Sequence, residues 1–210
     1  MYDETGQWEK IFQCEGRVFL EPRPQILKFT DALVEHGLRS VLDLGCGTGR
    51  HVIHMAHKGL APIGLDNAPT ALRLTREWLN EEGLAAGLVL SDMQNPLPFM
   101  DRSFDAVLSA QVIHHARLKS VVGIAKEIDR ITRPSGRILI SVPTFGAVQE
   151  DSPELIEIEP NTFVPASGTE RGLPHHIFSP DEFKNIFPRF QVIELKELGG
   201  KVIAMTAEKN

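Results

Sequence analysis

Apolar residues fall along this chain in short runs of two kinds. Val41, Leu42 and Leu44, then 61–66 (APIGLD), 87–91 (GLVLS), 104–109 (FDAVLS) and 137–142 (RILISV), are brief runs bounded by turn residues, as buried strands are. Between them the apolar positions take helical spacing: Ile26, Phe29 and Leu33; Val52, Ile53 and Ala56; Leu74 and Trp78; Val121, Ile124, Ile128 and Ile131. Pro22 and Pro24 open the first of these helices and Gly37 closes it; Pro134-Ser135-Gly136 stops the last. Strands alternating with amphipathic helices predict an α/β fold with an open, mostly parallel sheet and helices on both faces.

The pattern changes at both ends. Residues 1–21 are irregular, with Trp8, Phe12 and Phe19 among charged neighbours, and predict an arm with a short helix lying over the domain. Residues 147–174 carry Glu150, Asp151, Glu154, Glu157 and Glu159, with no Lys or Arg before Arg171, and Pro153, Pro160, Pro165 and Pro174 forbid a long helix. That stretch reads as an excursion from the sheet with short strands of its own. Ser179-Pro180-Asp181-Glu182 then forms a capping box ahead of Phe183, Ile186 and Phe187, and runs 190–195 and 201–207 predict a closing hairpin around Gly199-Gly200. One domain results: arm and helix 1–37, core 38–146, excursion 147–178, helix and hairpin 179–210.

Between the first strand and the next helix, glycines stand at alternate positions: Gly45, Gly47 and Gly49. Such a turn lets a ligand lie against bare backbone, with free N–H groups of a helix N-terminus behind it. Asp43 is an acid inside an apolar strand, which is costly unless it is paired or faces a ligand. Asp66 closes the second strand 21 residues after Gly45, the spacing at which a carboxylate meets ribose hydroxyls in this architecture. Asp92 stands at the end of the third strand.

Composition narrows the partners. A net charge of -6 argues against an electrostatic grip on nucleic acid, although Arg117, Lys119, Lys126, Arg130, Arg133 and Arg137 form a basic run. No run of eighteen apolar residues occurs, and the polar, acidic start is unlike a signal peptide, so a cytoplasmic protein without a membrane span is expected. Cys14 and Cys46 make no metal-ligand pattern. His51, His54 and His57, spaced by three on one helix, are expected to be solvated, and no metal is expected.

The segments VLDLGCGTGRH, GLDNAPTAL, LSDMQNPLPF, SFDAVLSAQVIHH and RPSGRILISVP stand in the order seen in class I S-adenosylmethionine (SAM) methyltransferases, and the chain resembles that family strongly over 38–143. The resemblance implies a Rossmann-like, seven-stranded sheet whose last strand is antiparallel, SAM as cofactor and S-adenosylhomocysteine as product. It would place Asp43, Gly45, Cys46, Gly47, Thr48 and Gly49 at the methionine part of SAM. Asp66 would take the ribose, with Asn67 beside it. Asp92 and the Met93 N–H would meet the adenine, and Ala110 and Gln111 would border the sulfonium. A sulfonium methyl is already activated, so a base is needed only where the acceptor must lose a proton; His114 and His115 are the candidates. Trp8, Arg17, Phe19, Phe145, His175 and His176 are expected to wall an acceptor pocket. The reading favours a small-molecule acceptor and a monomer or homodimer. The rivals are a tRNA wobble-uridine methyltransferase and a non-catalytic SAM-fold binding protein.

Overall fold

The computed structural model describes residues 6–147 and 154–210. The expected residues Glu150 and Asp151 therefore lie outside the described part. Chain order runs α1 (Gln7–Glu15), α2 (Pro24–Glu35), β1 (Ser40–Leu44), α3 (Arg50–His57), β2 (Ala61–Asp66), α4 (Pro69–Glu81), β3 (Gly87–Leu90), β4 (Phe104–Ala110), α5 (Leu118–Ile131) and β5 (Thr132–Pro143). A 3-10 turn at Phe145–Ala147 follows, then β6 (Leu155–Glu159), β7 (Thr162–Pro165), β8 (His175–His176), α6 (Pro180–Asn185), β9 (Phe190–Leu198) and β10 (Val202–Lys209).

Seven strands form the main sheet in the order β3-β2-β1-β4-β5-β10-β9. β1 to β5 are mutually parallel, and β10 runs antiparallel to both β5 and β9. This is the expected sheet with its antiparallel last strand. Two-residue alternation along the strands sends side chains to opposite faces. Leu42, Leu44, Val107, Ile138 and Ile140 pack with α5 residues Val121, Ile124, Ile128 and Ile131 and with Phe183 and Phe187. Val41, Ala106, Leu108 and Leu139 meet Ile26, Phe29 and Leu33 of α2 on the other face. Each fully buried aliphatic side chain contributes about 1.5–3 kcal/mol.

Three local expectations need correction. The fifth strand begins at Thr132, not Arg137, because Phe104 pairs with Thr132 before the register shifts to Ala106 with Arg137. Pro134-Ser135-Gly136 loops out inside that shift, with Ser135 at φ 58°. The buried stripe of α4 is Ala71, Thr75 and Leu79, while Leu74 and Trp78 are only half-buried. His51 is buried, His54 is half-buried with Nε2 2.8 Å from the Thr30 hydroxyl, and His57 alone is largely exposed. Successive steps of three rotate a helical side chain by about 60°, so the three histidines turn from the core to solvent.

The excursion from the sheet builds a separate three-stranded sheet, β6-β7-β8, with antiparallel pairings. Helix α1 lies across α4. The Glu9 carboxylate accepts from the Thr70 N–H at 2.9 Å and from its hydroxyl at 2.6 Å. Helix α4 has no side-chain cap from its own Ala68, so Glu9 serves as an N-cap supplied from another helix. Arg17 adds a bidentate pair to Glu81, and its guanidinium stands 5.5 Å over the Trp78 ring.

Candidate functional site

The carboxyl ends of β1, β2 and β4 open onto a cavity of about 460 Å³, a size usual for small-molecule sites. The glycine turn forms its floor. Gly45 has φ 76°, and a Cβ there would lie 2.3 Å from Val112 Cγ1. Gly49 has φ 93°, and a Cβ would lie 2.5 Å from Thr75 Cγ2. Both positions thus demand glycine for conformation and for space. The turn hangs from β2 by hydrogen bonds from the Gly45 and Cys46 N–H groups to the Leu65 carbonyl.

Asp66 sits where β2 ends. Its Oδ2 accepts from the Gly47 N–H at 2.8 Å and its Oδ1 from the Ala68 N–H at 2.9 Å. Burial pushes its carboxyl up, opposed by these backbone donors. The two bonds aim the carboxylate and leave further lone pairs for a ligand. Asp92 accepts from the Gln94 N–H at 2.9 Å, which shapes the loop after β3. Arg130 steadies the far side of that loop through the Phe99 and Leu97 carbonyls at 2.8 and 3.1 Å.

Two arginines that the sequence reading left out stand in the cavity wall, Arg23 and Arg50. Arg23 precedes α2 and donates to Gln111 Oε1 at 2.8 Å; its buried Nε has no partner among the described residues. Gln111 is held at φ 60°, an unfavourable backbone for a residue with a side chain. The Arg50 guanidinium lies 5.2 Å over the Phe19 ring, and burial first, then Arg23, lowers its pKa. A signal for Arg50 was its place directly after the third glycine; Arg23 carried none.

At the other end of the cavity stand His114 and His115, after β4, and His175 on β8. The His115 ring meets the edge of Trp8 at 5.4 Å and the ring of His175 at 4.7 Å. Burial, followed by the neighbouring histidines, pushes His114 and His115 well below the usual imidazole range, and burial brings His175 down to about 4. All three are therefore neutral near pH 7. Glu170, also in the wall, is pushed up by burial.

The lining joins Trp8, Phe19, Gly45, Cys46, Gly47, Thr48, Asp66, Asn67, Asp92, Met93, Ala110, Gln111, His114, His115 and His175 of the expected site residues. Five others are not in the wall. Arg17 turns outward to Glu81, and Phe145 is half exposed and not part of the lining. His176 is buried behind β7 with Nδ1 2.7 Å from the Thr162 hydroxyl. Asp43 is buried beside His51, and Gly49, at the end of the turn, is packed against Thr75.

Residues 42–140 match the family model described as a methyltransferase domain. The chain is 29% identical over 147 residues to the 2-heptyl-1-hydroxyquinolin-4(1H)-one methyltransferase of Mycobacteroides abscessus, across 66% of this chain and 63% of that protein. It is 32% identical over 120 residues to the uncharacterised methyltransferase YodH of Bacillus subtilis, across 55% of this chain and 50% of that one. The chain thus spans about half to three fifths of the length of these curated relatives. Among solved structures, the Burkholderia thailandensis 1,6-didemethyltoxoflavin-N1-methyltransferase, bound to 1,6-didemethyltoxoflavin and S-adenosylhomocysteine, superposes with a TM-score of 0.69. It is 19% identical and covers 98% of this chain and 88% of its own, which is a likeness of fold.

Proposed function

The chain belongs to the class I SAM-dependent methyltransferase family, and we propose that it transfers the methyl group of SAM to a small-molecule acceptor. The observation that carries this reading is a single cavity that joins two unlike sets of groups. The glycine turn, Asp66, Asp92 and two arginines line it together with neutral histidines, and aromatic rings run between them, Phe12 beside Gly47 and Trp8 beside His115. In this reading the Asp66 carboxylate accepts from the ribose hydroxyls, and Asp92 accepts from the adenine amino group. The backbone of the glycine turn receives the methionine portion, and Arg23 and Arg50 take its carboxylate.

The methyl carbon needs a nucleophile in line with its bond to sulfur and water kept away. Trp8 and Phe12, stacked with ring centroids 5.7 Å apart, roof the cavity and supply the exclusion. A neutral histidine at the acceptor end can take a proton from a hydroxyl, amine or thiol. Both the Mycobacteroides relative and the Burkholderia enzyme are named for small molecules, which favours that acceptor class here. The four arginines of the basic run on and around α5 are met by acids: Arg117 by Glu159, Arg130 by Glu127 and Asp101, Arg133 by Asp105, and Arg137 by Glu208. Paired charges of this kind do not favour a phosphate backbone. Two free cysteines, Cys14 and Cys46, agree with a reducing, cytoplasmic setting.

Radiolabelled SAM with fractionated metabolite pools tests the reading. Label entering a small-molecule fraction is the expected result. Stoichiometric label in bulk tRNA, or no SAM binding by calorimetry, overturns it.

A further inference from the structure

We propose that His114, His115 and His175 bind one divalent cation of the zinc or cobalt type at the acceptor end of the cavity. One ring nitrogen from each lies within 4.8 Å of those of the other two. The segments that carry them are clipped together by the backbone, since the His176 N–H donates to the His114 carbonyl at 2.9 Å. Two nitrogens about 2.1 Å from a tetrahedral zinc lie about 3.4 Å apart, so small ring rotations close the set onto an ion.

The cluster has the marks of a ligand set rather than of structural packing. His114 Nδ1, His115 Nδ1 and His175 Nε2 are buried and have no hydrogen-bond partner among the described residues. A buried polar atom left without a partner is costly, so such a set calls for one. Elsewhere His54 has the Thr30 hydroxyl at 2.8 Å and His176 Nδ1 the Thr162 hydroxyl at 2.7 Å, and His51 Nε2 and His176 Nε2, also without a hydrogen bond among the described residues, stand outside the cluster, so what sets these three apart is that their ring nitrogens converge. Glu170 Oε2 stands 3.4 Å from His175 Nε2 and brings a carboxylate to the same spot. Three nitrogens leave a tetrahedral ion one open position, and here it opens onto the cavity.

Resting on the methyl-transfer reading, this geometry names the acceptor class: a molecule with an ionisable hydroxyl or thiol that fills the open position. The acceptor O–H or S–H gives its proton to Glu170. The freed lone pair forms the bond to the methyl carbon, and the carbon–sulfonium bond breaks with its electron pair left on sulfur. The products are the methyl ether or thioether and neutral S-adenosylhomocysteine. Held by the ion, the histidines are ligands and not bases.

The test uses untagged, chelator-treated full-length protein, titrated with Co²⁺ by visible absorption and with Zn²⁺ by calorimetry. Uptake of one equivalent with a tetrahedral Co²⁺ spectrum is expected. His175→Ala and His115→Gln should each weaken uptake by at least about 100-fold, since even outer partners of metal ligands carry 10–100-fold. S-adenosylhomocysteine binding and the thermal midpoint should stay unchanged. Glu170→Gln, at the cavity wall, serves as a third variant should either histidine change fail to fold, and weaker uptake is expected there too. No stoichiometric uptake by the wild type, or equal uptake by all folded variants, overturns the proposal. S-adenosylhomocysteine binding without metal uptake sinks the metal site alone. Metal uptake without S-adenosylhomocysteine binding supports the metal site and sinks the methyl-transfer reading.

Discussion

Asp43 Oδ2 lies 3.9 Å from His51 Nδ1, with both side chains buried and no hydrogen-bond donor on either Asp43 oxygen among the described residues. An ion pair would be costly here, and burial instead drives both groups toward neutrality. Burial raises the Asp43 carboxyl to about 7, with Arg50 pulling it down and Asp66 pushing it up. Burial, followed by Arg50 and Arg23, holds His51 well below the usual imidazole range.

A pH dependence follows from Asp43. Its folded pKa is about 7, above an unfolded value of about 4. Between those values the folded protein binds the extra proton, so this group's contribution to stability falls as pH rises from about 4 to about 7 and is flat above. The slope is at most about 1.4 kcal/mol per pH unit. Asp43→Asn removes it. Urea unfolding of both proteins across that range should show the wild type losing ground to the variant with rising pH. Parallel curves would show that Asp43 is ionised in the fold.

The cofactor end makes a prediction with an internal control. Asp66→Ala should cost roughly 1.5–3 kcal/mol of binding for both SAM and adenosine, the size of a charged hydrogen bond. Arg50→Ala should cost SAM a similar amount and leave adenosine unaffected, because adenosine has no carboxylate. Calorimetry with the two ligands reads both changes. Equal losses for the two ligands in Arg50→Ala would remove the arginine from the methionine end.

Gly45 and Gly59 separate conformation from space. Their φ values are 76° and 72°, but a Cβ at Gly59 meets nothing within 4 Å whereas one at Gly45 meets Val112 at 2.3 Å. Gly59→Ala should cost about 1–2 kcal/mol from backbone conformation alone. Gly45→Ala should cost about 1–3 kcal/mol more through overpacking. Denaturant midpoints of the two variants give the difference directly.

Glu9 tests how the arm is held. Glu9→Ala removes the donated N-cap of α4 and should cost about 0.5–2 kcal/mol. The loss should appear first as faster hydrogen exchange at residues 7–15, since those amides open locally. SAM affinity should fall with it if the arm closes the cavity. Unchanged exchange in the arm would show that Phe12 packing alone holds it there.

The sequence determined by itself the features whose causes lie within a few residues of one another. Strand and helix periods, the three glycines, and the acids Asp66 and Asp92 at strand ends are local, because pleat, helical pitch and positive φ act over one turn of chain. The order of those pieces was enough to imply the sheet and its carboxyl edge. Tertiary structure decided what depends on chain closure. It buried His51 beside Asp43 while leaving His57 in water, and turned Arg17 away to Glu81. It carried Glu9 to Thr70 across 61 residues. It also set Arg23 against Gln111, 88 residues on, and brought β8 back to the His114–His115 turn. No periodicity records such meetings, since they depend on which surfaces the folded sheet leaves open for the arm and the excursion to cover.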